Sequence, residues 1–211
     1  MRSIRLLVTV LTSLGLALGL SSQIAWAQIS GNSILLVASS QMKDPRFMRT
    51  VVLVTRHGRS PPLGVIINRP LDTSLGTLFP NLPDREAKRP LYLGGPVAPN
   101  MLAFLFRSPT GSADAISVAR ETHLGRSGET LDALLRGTRT HNGLRVFVGY
   151  AGWIEGQLEQ EISQGTWHVM PVDPDVLFDK DVNLIWPDLI RRATQQNARL
   201  PVPTDSQPTK T

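Results

Sequence analysis

Gly149-Tyr150-Ala151-Gly152-Trp153-Ile154-Glu155-Gly156-Gln157-Leu158-Glu159-Gln160-Glu161 is the stretch on which the reading of this chain turns. The run before it, Leu144 to Val148, carries β-branched and aromatic residues and reads as a buried strand. Behind the glycines, Ile154, Leu158 and Ile162 recur at i, i+4 and i+8, which places them on one stripe of a helix predicted over 154–163. A strand that runs through three glycines into an amphipathic helix is a building unit of an α/β domain.

Working outward, apolar runs rich in β-branched residues predict strands at Ile34–Ala38, Thr50–Thr55, Gly64–Asn68, Leu91–Leu93, Met101–Phe106, Ala115–Val118 and Trp167–Met170. Pro61 and Pro62 break the chain between the second and third, so 57–62 is read as a turn. Helices are expected at Leu75–Phe79, capped by Thr73 or Ser74, and at Glu129–Arg136, between a Ser127 cap and a Gly137 stop. A last helix, Val182–Gln195, has Pro187 near its start. Strands and helices interleave without strict βαβ alternation. This predicts an α/β fold: a single compact domain whose mixed β-sheet has helices packed on it. The pattern leaves the strand order open.

The ends differ in kind from this domain. Arg2 and Arg5 precede a charge-free run, Leu6–Leu20, and Ala25-Trp26-Ala27 has the small-x-small form of a cleavage site. Residues 1–27 are therefore expected to be a signal peptide, with a periplasmic or secreted mature chain starting at Gln28 and no stable membrane span after cleavage. Residues 28–197 form the domain. Residues 198–211, polar and Pro-rich, read as a disordered tail. Removing 1–27 removes two arginines and no acid, so the net charge falls from +5 to +3. With the remaining basic residues scattered, nucleic acid is not an expected partner. The absence of cysteine excludes disulfides, thiolate metal sites, cysteine nucleophiles and a lipid-anchored cysteine.

Four junctions carry candidate chemistry. Gly149, Gly152 and Gly156 stand between strand and helix, where backbone N–H groups can meet an anion. Their spacing matches neither the dinucleotide fingerprint nor a Walker loop, and close packing beside Trp153 is the plainer reading. Gln157 and Glu161 are one helical turn apart. A partly buried carboxylate at 161 serves as general acid or base, or is simply bonded to backbone or to an arginine, Arg69 first. Asn68-Arg69-Pro70 aims a guanidinium out of a strand end, toward a carboxylate or phosphate, or into an ion pair with Asp72 or Glu161. Gly94-Gly95-Pro96 reads as a sharp turn between two strands, whose amides would lie close to a ligand. His57, His123, His141 and His168 lack metal-ligand spacing, and Ser39 and Ser40 have no sequence-local base.

Four stretches in order resemble one family: Gln41-Met42-x-Asp44-Pro45-x-Phe47-x-x-Thr50-Val51-Val52, Gly64-Val65-Ile66-Ile67-Asn68-Arg69-Pro70, Tyr92-Leu93-Gly94-Gly95-Pro96-Val97, and the stretch from Gly149 to Ile162, with Trp167 and Pro171-x-Asp173 after it. The chain resembles the YqgE/AlgH family of bacterial proteins (UPF0301) over residues 34–195. The resemblance implies a compact α/β domain. It implies no assigned reaction: some members are described as regulators of alginate production with transcriptional involvement suggested, and the usual members are cytoplasmic. The export signal departs from that pattern.

The candidate ligand site is thus Asn68, Arg69, Gly94, Gly95, Tyr150, Gly152, Trp153, Gln157 and Glu161. The expected occupant is a small anionic ligand or a protein partner, with no metal and no cofactor. The expected function is an exported, non-catalytic ligand-binding or regulatory module. The alternatives are a hydrolase-type enzyme using Glu161 and Arg69, or a transcription-linked regulator should the N-terminus be retained.

Overall fold

Runs such as Ile34–Ala38 and Val51–Val54 are apolar at every position, which suits a strand covered on both faces. The computed structural model, which describes residues 32–56, 60–137 and 143–199, provides that cover. The predicted signal peptide, residues 200–211 of the tail, His57 and His141 lie outside the described residues.

In chain order the strands are β1 (Ser33–Ala38), β2 (Val51–Thr55), β3 (Leu63–Ile66), β4 (Pro70–Ser74), β5 (Pro90–Leu93), β6 (Val97–Arg107), β7 (Ile116–Ala119), β8 (Thr122–Gly125), β9 (Arg145–Gly152) and β10 (Trp167–Met170). The helices are α1 (Leu75–Leu78), α2 (Asp84–Ala87), α3 (Gly128–Arg136), α4 (Gln157–Ser163), α5 (Pro174–Phe178) and α6 (Val182–Arg199). The sheet runs β10-β1-β2-β3-β9-β6-β8-β7, and a β4–β5 ribbon joins it through β9. The β5–β9 pair is parallel and the others are antiparallel, so the sheet is mixed.

Alternate residues along a strand face opposite ways. Leu35, Val37, Leu53 and Val65 point to the layer of α5 and α6, meeting Val176, Leu177, Ile185 and Leu189. Their neighbours Ile34, Leu36, Val52 and Ile66 point to Leu158 of α4 and to Trp153 and Trp167. Farther along, Phe104, Phe106 and Val146 pack on Leu131 and Leu135 of α3.

Three expectations are corrected. The helix predicted from Ile154 starts at Gln157, because Gly156 before it has φ 78° and cannot be helical. Ile154 therefore leaves the apolar stripe and is 76% exposed. The last helix runs to Arg199, two residues past the expected domain end. The third concerns Gly94-Gly95-Pro96. β5 and β6 do not pair with each other. They lie on opposite edges of β9, so this segment carries the chain across β9 instead of turning a hairpin.

The crossing explains its glycines. A Cβ on Gly94 would stand 2.2 Å from the Gly149 carbonyl oxygen, and one on Gly95 2.2 Å from the Tyr150 carbonyl carbon. Gly149 itself has φ 69°. The Gly94 amide donates to the Val148 carbonyl at 2.8 Å, and the Ile66 amide donates to the Gly94 carbonyl at 2.9 Å. Backbone lies on backbone here, with no room for a side chain.

Candidate functional site

The pairing of β1 with β10 brings together two loops that are far apart in sequence. Ala38 lies opposite Trp167, and the Ser39 amide donates to the Thr166 carbonyl at 3.0 Å. The loop after β1 therefore sits beside the turn from α4 into β10. Between them opens a cleft of about 560 Å³. Its walls come from the loop after β1 (Ser39, Gln41–Asp44, Arg46 and Phe47), Pro96–Val97, Gly152–Trp153, and the helix side of Gln157, Glu161 and Gln164, with Gly165–Trp167.

Glu161 is the organising side chain of this cleft. Its Oε2 accepts the indole N–H of Trp153 at 3.0 Å and that of Trp167 at 2.8 Å. Its Oε1 accepts the Gln157 amide N–H at 2.9 Å. Gln157 in turn accepts the Ile154 amide at 3.2 Å, which fixes the chain just ahead of α4. The two indoles meet edge to face, 6.5 Å apart at 77°, and Phe47 closes on Trp167 at 5.7 Å. Both tryptophans are buried, so each indole N–H needs an acceptor, and Glu161 serves both.

The opposite wall is pinned from behind. Asn68 accepts the Val51 amide at 2.8 Å and donates to the Arg49 carbonyl at 3.0 Å. Arg69 donates to the carbonyls of Arg46 at 2.6 Å and Met48 at 3.3 Å. At the rim, Arg46 forks onto Asp44, with contacts from 2.7 Å. The Arg46 side chain, bonded to Asp44, holds that carboxyl below its usual range. Arg49, with φ 56°, lies over the Trp186 ring at 5.2 Å, and the Trp186 indole donates to the Ala38 carbonyl at 2.8 Å.

Of the predicted site residues, Gly152, Trp153, Gln157 and Glu161 line the cleft. Asn68 and Arg69 stand behind its loop and act on it through backbone carbonyls. Gly94 and Gly95 belong to the crossing, and Tyr150 pairs with Val97 between β9 and β6. The ion pair sought between Arg69 and Glu161 is not formed, nor is one with Asp72. The guanidinium faces carbonyls, and the carboxylate is held by neutral donors.

Gln41–Phe47 and Thr166–Trp167 are not among the predicted site residues, although both fall within or beside the motifs that carry the family resemblance. No local pattern announces that β1 and β10 pair. Sequence reasoning also misses Arg145. It is buried at the head of β9, donates to the Ile67 carbonyl at 3.1 Å and the Phe178 carbonyl at 3.3 Å, and lies 5.1 Å from the Tyr92 ring. Burial pushes its pKa down. It ties β9 to the end of β3 and to α5, away from the cleft. Among the described residues, no group of three or more His, Asp or Glu side chains is placed to hold a metal ion.

An AlgH-like family profile matches residues 35–198. The chain belongs to the AlgH-like family. UPF0301 proteins similar to it include one from Anaeromyxobacter dehalogenans, 33% identical over 168 residues that cover 74% of this chain and 85% of the relative. Another, from Azoarcus, is 37% identical over 160 residues, covering 68% and 79%. The solution structure of AlgH from Pseudomonas aeruginosa superposes with a TM-score of 0.61 at 31% identity, covering 81% of this chain and 89% of that one. A crystal structure of a Corynebacterium diphtheriae protein gives 0.59 at 25% identity, covering 82% and 87%. The motif resemblance and the mixed α/β fold both hold. The AlgH-like match begins at residue 35, so the predicted signal peptide lies wholly outside it.

Proposed function

We propose that this AlgH-like protein is an exported, non-catalytic ligand-binding or regulatory module that works through the cleft around Glu161. The observation that carries the reading is the Glu161 hydrogen-bond set. Two buried indoles and an amide hold one carboxylate in a fixed direction on the wall of a cleft of about 560 Å³, within the range of small-molecule sites. A preorganised polar group in a concave, partly apolar setting is what recognition needs. Export is supported by the basic start, apolar run and Ala25-Trp26-Ala27 of the N-terminus.

The hydrolase alternative assigns Glu161 to proton transfer and Arg69 to an anionic group. Against it, Arg69 directs its N–H groups to loop carbonyls, and three neutral donors hold Glu161. The test has two parts. N-terminal mass and cell fraction of the native protein should give a species starting at Gln28 outside the cytoplasm. A full-length cytoplasmic species would return the transcription-linked role to the front. The purified protein should also show no hydrolysis that Glu161→Gln or Arg69→Ala abolishes while the fold is kept. Such a loss would make it an enzyme.

A further inference from the structure

We infer that the cleft takes an organic cation, whose ammonium or guanidinium group donates to Oε1 of Glu161. This rests on the proposed role of the cleft as a ligand site and names the chemistry it selects. Each carboxylate oxygen offers about two acceptor positions. Oε2 is filled by the two indole N–H groups. Oε1 holds the Gln157 amide alone and so keeps one position. All three donors are neutral. Among the described residues, no cation forms an ion pair with Glu161.

A half-buried carboxylate with its direction fixed and its charge uncompensated favours a positively charged donor over a neutral one, because charge-assisted hydrogen bonds are the stronger kind. An anion would meet Glu161 as a like charge. Arg46, at the rim across the cleft from Glu161, is already paired with Asp44. Lys43 is an exposed side chain at the mouth, where solvent and salt screen it. Phe47 and Val97 provide apolar surface for a short carbon chain behind the charged group. A metal ion is a poorer occupant, since one carboxylate does not make a coordination shell.

A free amine and a lysine or arginine side chain of a peptide share this chemistry. The test is a titration of the full chain, labelled with 15N, following the indole N–H resonances of Trp153 and Trp167. The probes are butylammonium, butylguanidinium, butanol, butyrate and a blocked Ala-Arg-Ala peptide. The two cations should shift both indole signals, and added salt should weaken them. Glu161→Gln should weaken them roughly tenfold. Butanol and butyrate should bind at least that much more weakly to the wild type, a comparison that does not depend on how well the variant folds. Tighter binding of the peptide than of butylguanidinium would identify the source as a protein partner, and the reverse a free amine. Equal or stronger shifts from butanol or butyrate would overturn the cation while leaving the cleft as a ligand site. No shift from any probe would overturn both.

Discussion

Two glycine-bearing junctions of this protein have opposite jobs. At the crossing of Gly94–Gly95 over Gly149–Tyr150, the chain is packed so closely that no Cβ fits. At the start of α4, a Cβ on Gly156 would meet nothing within 4 Å, and the chain opens onto a cleft. In sequence both read alike, as glycines placed just beyond a strand. The comparison teaches that such a junction marks a site only where space and a held polar group accompany it.

The strongest challenge to this contrast is Gly95→Ala. Its methyl group would fall on the Tyr150 backbone, which has no flexible end to move, so the loss should reach about 4 kcal/mol or more and abolish folding in a marginal background. Gly156→Ala should lose about 1–2 kcal/mol, the strain of its φ of 78° alone. Thermal and urea unfolding of the pair measures both. Equal losses would mean that the crossing is looser in solution than its contacts require.

Glu161→Ala comes next. It strands two buried indole N–H groups and the Gln157 amide, and a buried unsatisfied donor costs about 1–3 kcal/mol. A total loss of about 2–4 kcal/mol is expected, with a change in tryptophan emission in the folded state. An unchanged urea midpoint would show that the carboxylate does not bind the indoles in solution.

The smallest effect is at the rim. Asp44 has its carboxyl lowered below 3.8 by the Arg46 hydrogen bonds. A folded-state value below the unfolded one means that the contribution is complete above the unfolded value and is lost as the pH falls through the lowered one. As the pH falls from about 5 through the lowered value, wild type should lose slightly more stability than Asp44→Asn, and above about pH 5 the difference should be constant. A difference that grows above that range would place the titrating group elsewhere.

Much of the fold is legible because its strands are apolar on both faces. Ile34–Ala38, Val51–Thr55 and Trp167–Met170 stand close to where their composition places them. β4 and β8 escape a sequence reading: Pro70–Ser74 opens on a proline, and Thr122–Gly125 has one aliphatic residue in four, so neither carries a hydrophobic run. The helix side of the cleft is readable from Trp153, Gln157 and Glu161, since i, i+4 spacing is a local property. The loop side is not, because it depends on β1 pairing with β10 about 130 residues later. Arg69 stands out in the sequence, but its partners are backbone carbonyls, which leave no trace in side-chain patterns.

The central strand is also one of the last to be made. β9 holds β3, β5 and β6 together, yet it comes from residues 145–152. Until then the growing chain has β1–β2–β3 on one side and β6–β8–β7 on the other, without the strand that both sides pair with. At ~5–20 residues per second, a ribosome needs roughly 8–30 s to reach residue 152, and for that time the sheet cannot close. Under the proposed export, this delay would give a translocase time to receive the chain before its sheet closes.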